Sequence, residues 1–290
     1  MATIRQLRQR RKVAQNIQQI TKAMKMVAAA RLKRAQDRVQ AARPYAATMR
    51  EMMIHLAQSV GGEVRHPLLA ARPPQNLGFL IVTSDRGLAG SYNSAILRRA
   101  MELLREYDKN RIKLYVAGRK GIQFFKRRGF NVVQEFGLNS TGITFEEAKQ
   151  ITRTVRAEFE TEKIDQLVLV YTKFISPISL KPTDIQLLPI QQPAIEAAAE
   201  PETVDDYIFE PAADTLLQAL LPRYVEGQVY QALLESTASE HGARMTAMSS
   251  ATDNAAKMIG TLTLFINRAR QAGITREISE IVGGAEALKG

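Results

Sequence analysis

Apolar and small residues recur at intervals of three and four from Ile4 to about Leu56. They run through Ile17, Ile20, Met24 and Val27, then Ala35, Val39, Ala42, Ala46, Met49, Met53 and Leu56. A strand would alternate every second residue, so this spacing predicts a helix with a coiled-coil seam. The middle of the seam is alanine, which lets a neighbour approach closely but buries little area, so this helix needs a partner. A second helical run from Pro211 to about Ala285 carries Leu217, Leu221 and Tyr224, then Met248, Ala251, Ala255, Ile259, Leu262, Ile266 and Ala269 at the same spacing. The layout predicts that the two distant ends fold into one coiled coil. At 1.5 Å per residue the first run rises about 80 Å and the second on the order of 110 Å. The longer run must therefore find another neighbour over part of its length. Its far end shows a stripe, Ile274, Ile278, Ile281 and Val282, at helical spacing. If that stripe projects past the shorter helix, it needs an apolar sleeve on another protein. Pro44 and Pro222 each remove a helical hydrogen bond and predict bends, the first near Arg43.

The period changes after Gly61-Gly62 and the prolines at 67, 73 and 74. The apolar run Leu77–Asp85 predicts a buried strand, Ser94–Tyr107 a helix, Ile112–Ala117 a strand and Arg119–Arg127 a helix. Phe130–Phe136, Phe145–Glu160 and Ile164–Phe174 continue the alternation as strand, helix and strand, and Ile185–Ile190 adds a last strand. Strands alternating with helices predict an α/β layer architecture. The expected organisation is a helical shaft from residues 1–60 and 208–290, an α/β domain at 75–192, and linkers at 61–74 and 193–207.

The chain has 290 residues, 45% of them hydrophobic, enough for a real core. Its formal charge of +11 calls for an anionic partner: nucleic acid, an anionic membrane surface or acidic protein. The charge concentrates in the first helix, where Asp37 is the sole acid before Glu51. Arg31, Arg34 and Arg38 share a face there and would suit a phosphate backbone. However, no aromatic set for stacking bases is interleaved with them and no helix-turn-helix signal follows, so an acidic protein fits at least as well. With no cysteine, thiol catalysis, disulfides and thiolate metal sites are excluded. His55, His66 and His241 are too scattered to suggest a metal site. The start lacks the apolar run of a secretory signal, and no window approaches the ~20 apolar residues of a membrane span, so the chain reads as soluble.

One loop resembles a site: Ser84-Asp85-Arg86-Gly87-Leu88-Ala89-Gly90-Ser91-Tyr92-Asn93, at the end of a strand where α/β folds bind ligands. It lacks both the G-x-G-x-x-G fingerprint and the Gly-Lys-Ser/Thr ending that cradles phosphates. A tight turn with Asn93 or Ser94 capping the next helix competes with nucleotide binding there. Gly118-Arg119-Lys120-Gly121 reads as a second strand-to-helix turn. No nucleophile elbow or H-E-x-x-H motif occurs. Glu235, Glu240 and Glu280 stand at spacings expected of a solvated helix face.

Three groups of residues, in order along the chain, resemble the gamma subunit of F-type ATP synthases, the central rotor stalk. They are Gln19-Ile20-Thr21-Lys22-Ala23-Met24-Lys25-Met26-Val27-Ala28 with Arg43-Pro44-Tyr45; Ser84-Asp85-Arg86-Gly87-Leu88-Ala89-Gly90; and Ala243-Arg244-Met245-Thr246-Ala247-Met248, Ala251-Thr252-Asp253-Asn254-Ala255 and Asn267-Arg268-Ala269-Arg270-Gln271-Ala272-Gly273-Ile274-Thr275. The resemblance implies an antiparallel coiled coil of the two ends and a central Rossmann-like α/β domain. It also implies a non-catalytic, cofactor-free role that couples proton-driven rotation of the membrane c ring to ATP synthesis or hydrolysis. The implied partners are the alpha and beta subunits of the catalytic hexamer, the epsilon subunit and the c ring, with one copy per complex and no nucleic acid. The implied location is the cytoplasmic face of a bacterial plasma membrane, where the chain is held peripherally through the complex.

By the same resemblance, Arg268, Arg270, Gln271, Thr275, Glu277, Ile278, Ile281 and Val282 would contact the surrounding subunits. Lys22, Lys25, Arg31 and Arg34 would meet acidic segments of the beta subunits. Asp85, Arg86, Tyr207 and Glu210 would belong to the foot, the last two near the c ring. Lys25 departs from the family pattern, in which many relatives carry Glu. The cysteine-bearing insertion of chloroplast members is missing.

Overall fold

A computed structural model describes residues 3–60, 66–138, 142–191 and 211–287, without the side chains of 57–60, 213–214 and 286–287. Tyr207, Glu210 and the predicted linker 193–207 lie outside the described residues. The chain opens with α1 (Ile4–Val60) and closes with α5 (Ala213–Ala287). Between them come β1 (Leu77–Val82), α2 (Tyr92–Leu104), β2 (Ile112–Ala117), α3 (Arg119–Arg127), β3 (Val132–Phe136), α4 (Phe145–Glu160), β4 (Gln166–Phe174) and β5 (Leu180–Leu188). The helix runs unbroken through Pro44 in α1 and through Pro222 in α5. Two units form, one from Met1–Val27 with Met245–Gly290 and the other from Ala28–Arg244.

In the second unit the strands make one sheet of order β3-β2-β1-β4-β5, parallel except for β5, which runs antiparallel to β4. β1 is central, with Leu80 paired to Tyr115 on one side and Leu169 on the other. Every residue of Leu77–Val82 is buried, which explains a continuous apolar run where an exposed sheet would alternate. Leu77, Phe79 and Ile81 turn to the face where Ile96, Ala100 and Leu104 of α2 and Phe125 of α3 close the core. α4 begins with a capping box: Thr144 Oγ1 accepts from the Glu147 amide, and the Glu147 side chain accepts from the Thr144 amide.

The helical part of this unit pairs Ala28–Leu56 of α1 with α5 residues up to Arg244. Ala28, Leu32, Ala35, Val39, Met49, Met53 and Leu56 are buried along one stripe. α5 here is enclosed nearly all round, with Val225, Val229, Ala232, Leu233, Leu234, Ser236, Ala238 and Ser239 buried. One side of it meets α1 and another meets β4, where the Thr172 amide donates to Ser236 Oγ at 3.2 Å and Ser239 Oγ donates to the Thr172 carbonyl at 3.2 Å. Gly242 lies against the turn after β4; a Cβ there would stand 3.2 Å from Pro177 Cα.

In the first unit the helices run antiparallel: Thr252 Oγ1 donates to Thr21 Oγ1 at 2.9 Å, and Lys25 Nζ donates to Ser249 Oγ at 3.0 Å. The pairing is thin, with Ala14 and Thr21 of α1 and Met248, Ala255 and Ile266 of α5 buried. Ile17, Ile20 and Val27, expected in the seam, are instead exposed at 47%, 59% and 54%. Among the described residues, no helix is long and apolar enough to cross a membrane.

Candidate functional site

The loop after β1 is built as a joint. Asp85 Oδ1 accepts the Arg119 amide at 2.9 Å, and Thr83 Oγ1 accepts the Gly121 amide at 2.9 Å, so two first-turn donors of α3 are satisfied from another loop. The local cap residue of α3 is Gly118, which has no side chain to cap with and stands at φ 97°. A Cβ there would collide with the Thr83 carbonyl, so the strand-to-helix turn admits only glycine. Asn93 does not cap α2; it ties down the other end of the loop, its Oδ1 accepting the Ser84 amide at 3.1 Å. The residue at the cap position, Ser91, makes no side-chain cap bond.

Arg244 of α5 then docks on this loop. Its Nη2 donates to the Gly87 carbonyl at 3.2 Å and pairs with Glu240 at 2.6 Å, while Nη1 donates to His241 Nδ1 at 3.3 Å. Glu240 keeps a raised pKa despite that pair because burial outweighs the pull of Arg244. Burial, reinforced by Arg244, Arg31 and Arg34, pushes the His241 ring down to about 4, so it is neutral. Glu235 is buried as well, with Oε1 taking a hydrogen bond from Gln231 at 3.1 Å. Of the three carboxylates expected on a solvated face, Glu280 is exposed and bound to Arg276, whereas Glu235 and Glu240 are interior. Helical spacing cannot separate the two cases, because both faces of α5 are covered in this unit.

The carboxyl ends of β1 and β4, where α/β sheets generally hold ligands, are thus occupied by the chain's own helix. Thr83, Ser84, Tyr92 and Thr172 are buried there, and Ser236 and Ser239 of α5 hydrogen-bond the Thr172 backbone. Asp85 is half-buried by its cap role and Arg86 is exposed.

Lys22 is exposed and Lys25 reaches Ser249; both belong to the first unit. Arg31 and Arg34 belong to the second and, with Arg38 and His241, line a small cavity. The candidates at the end of α5 lie together on an uncovered helix: Arg268, Arg270, Gln271, Thr275 and Glu277 are exposed. Ile274, Ile278, Ile281 and Val282 are exposed as well, with Ile281 reaching 71%. No neighbour within the first unit covers the segment 274–285. Arg244 entered the sequence reading only within a motif, without the loop contact that spans 157 positions, and Ile17, Ile20 and Val27, expected in the seam, form an outward stripe with Val13.

The family model described as ATP synthase matches residues 3–288. The chain is 48% identical over 289 residues to the ATP synthase gamma chain of Desulfitobacterium hafniense, covering 100% of both. It is 47% identical to that of Brevibacillus brevis, covering 98% of both. Among solved structures, it resembles a chain in the central stalk and c-ring of the Tetrahymena thermophila mitochondrial ATP synthase, with a TM-score of 0.61 and 28% identity, over 80% of this chain and 99% of that one. A chain in the Euglena gracilis mitochondrial ATP synthase shares the fold, with a TM-score of 0.68 and 19% identity, over 98% of this chain and 94% of the other. Matched along almost its whole length and close to half identical to full-length bacterial relatives, the chain belongs to the ATP synthase gamma-chain family.

Proposed function

We infer that this chain is the central rotor stalk of an F-type ATP synthase, coupling proton-driven rotation of the membrane c ring to conformational cycling of the catalytic beta subunits. The observation that carries this reading is the uncovered end of α5: four large aliphatic side chains between Ile274 and Val282 are exposed along a helix that no described residue of the first unit covers. Contiguous apolar surface of that kind calls for a partner. Here the partner is the apolar bearing formed by the alpha and beta subunits. Arg268, Arg270, Gln271, Thr275 and Glu277 beside the stripe supply polar contacts to their loops. Lys22, Lys25, Arg31 and Arg34 meet acidic segments of the beta subunits, and Asp85, Arg86, Tyr207 and Glu210 belong to the foot that engages the epsilon subunit and the c ring.

In this reading the chemistry stays with the catalytic subunits. The chain's work is done by differential contact. The first unit presents unlike faces around its axis, one apolar through Val13, Ile17 and Ile20, others basic or polar. A pseudo-threefold ring around it must therefore place each catalytic subunit against a different face and bias each toward a different nucleotide affinity. One copy per complex follows, since a single shaft occupies one axis. The chain is held peripherally at the cytoplasmic face of the bacterial plasma membrane, through its partners.

Native mass spectrometry of the complex purified through this chain tests the reading. The expected mass contains one copy of the chain with a hexameric catalytic head; two copies, or a complex without such a head, would overturn it.

A further inference from the structure

The hairpin that joins β4 to β5, in the second unit, ends in a two-residue turn at Pro177-Ile178. Ser176 and Ser179 close it by exchanging backbone hydrogen bonds, the Ser176 amide donating at 3.0 Å and the Ser179 amide at 3.2 Å. The Ser179 amide also donates to Ser176 Oγ at 3.0 Å. Behind the turn the ladder pairs Phe174 with Leu180, which leaves Ile175 as one residue in excess on its strand. A bulge of that kind re-aims a side chain. α5 braces the hairpin, since a Cβ on Gly242 would stand 3.2 Å from Pro177 Cα and 3.6 Å from the Phe174 ring. The turn is thus held in shape by its own hydrogen bonds and by a packed helix.

On this support sits an apolar tip. Ile178 is 88% exposed and Ile175 58%. Tight turns favour Gly, Asn or Asp at the corner, so turn chemistry does not account for the isoleucine. Just behind the tip, Lys173 and Lys181 stand directly opposite each other on the ladder, both exposed. Like charges in that position weaken a strand pair. Asp184, the acid of β5, is taken by Arg99 at 2.7 Å, and among the described residues neither lysine pairs with a carboxylate. The hairpin therefore carries two deficits side by side, apolar surface in water and positive charge without a counter-charge.

We propose that the β4–β5 hairpin is a docking knob for an acidic protein segment: Ile178 and Ile175 seat in an apolar pocket whose rim carries carboxylates that bridge Lys173 and Lys181. Charge complementarity selects this occupant. A second copy of the chain, itself at a formal charge of +11, would be repelled. A rigid turn loses little freedom on binding and so suits a preformed pocket, whereas a fluid bilayer does not reward shape. The knob uses none of the residues assigned above to the shaft or the foot, and it stands whether or not its partner belongs to a rotary complex.

Photocross-linking from p-benzoylphenylalanine placed at position 178, in the complex purified through this chain, tests the proposal by mass spectrometry of the joined peptides. The expected product is one partner peptide rich in Asp and Glu, attached at an apolar residue. The same label at position 133, exposed on β3 at the other edge of the sheet, should not mark that peptide. Lys173→Glu combined with Lys181→Glu keeps a like-charge pair, so stability should not change, but the reversed sign should lower the yield at position 178 about tenfold. Lys173→Arg with Lys181→Arg should preserve it. In the isolated chain, Lys173→Glu alone should raise the melting temperature, because it turns a repulsive cross-strand pair into an attractive one. Attachment to lipid, to a second copy or to a peptide without acidic residues would overturn the proposal, as would no cross-link at position 178 or an unchanged yield in the charge-reversed variant.

Discussion

Thr21 holds a buried position between two helices that an aliphatic side chain would be expected to take. Its hydroxyl donates to the Ile17 carbonyl at 2.9 Å and accepts from Thr252 at 2.9 Å, so burying it leaves no unsatisfied group. With Ala14 it lets the helices approach closely, while the larger Ile17, Ile20 and Val27 are turned outward. Their spacing alone predicted the opposite, because hydrophobic periodicity ranks side chains by water aversion and carries no information about how close the partner backbone comes. The consequence can be measured. Ile20→Asp should change the melting behaviour of the isolated chain little, within about 0.5 kcal/mol, as for other surface sites. Leu32→Ala, by contrast, removes a buried side chain and should cost roughly 2–5 kcal/mol. Thermal denaturation of both variants beside the parent checks the pair; a large loss for Ile20→Asp would place that residue back in a seam.

His241 gives a second prediction at this scale. Its folded-state pKa is lowered to about 4 from 6.5, so between those values the unfolded chain binds a proton that the folded chain refuses. Stability should therefore rise with pH across that window, by up to roughly 2–3 kcal/mol for this group. Glu240, raised by burial, works in the opposite sense nearby, so the difference between parent and variant isolates the histidine. His241→Gln should flatten the stability profile between pH 4 and 6.5 in urea titrations at several pH values. An unchanged slope would show that the ring can leave its site and protonate without cost.

At the scale of elements, β2, α3 and α4 begin and end where their sequence patterns do, and β1 was legible from its apolar run but ends at Val82, with Thr83, Ser84 and Asp85 in the loop that follows instead of in the strand expected to reach Asp85. β5 is longer than its apolar run, starting at Leu180, because pairing with β4 carries it through Lys181, Pro182, Thr183 and Asp184. Ladder hydrogen bonds are indifferent to side-chain polarity, so the polar half of that strand had no hydrophobic signal. The loop before α2 was legible as a tight turn, but its purpose was not. Caps are read from the residues just before a helix, whereas α3 borrows its cap from Asp85, 34 positions earlier. Removing that side chain should cost about 1 kcal/mol, the usual worth of a helix cap. Gly118→Ala should cost more, roughly 2–4 kcal/mol, since it adds backbone strain to a collision with the Thr83 carbonyl. Urea denaturation of the two variants orders these effects, and equal losses would contradict the steric account.

At the scale of the whole molecule, the fold class was legible because two heptad-like runs flank a strand-helix alternation. What a partner grips is legible only as a deficit, an apolar stripe lacking a neighbour. Ile274, Ile278, Ile281 and Val282 are at least 49% exposed, so the folded chain owes them little stability. Fully burying such a side chain is worth about 1.5–3 kcal/mol, which becomes available when the stripe enters an apolar bearing. Ile278→Asp combined with Ile281→Asp should therefore leave the melting temperature of the isolated chain unchanged while sharply lowering coupled ATP synthesis by the reconstituted complex. Arg270→Ala with Gln271→Ala should lower coupling without removing the chain from the complex, because these side chains flank the apolar stripe and do not form it. Ala251→Trp probes another property: Ala251 is a half-buried small residue facing a thin helix pair, and an indole there should obstruct either pairing or turning. Measuring synthesis and subunit content together separates the cases. Loss of synthesis with full subunit content means a rotor that is seated but does not transmit torque, loss of both means a failed seat, and normal synthesis in the Ile278/Ile281 double variant would mean that the stripe is not what the partner holds.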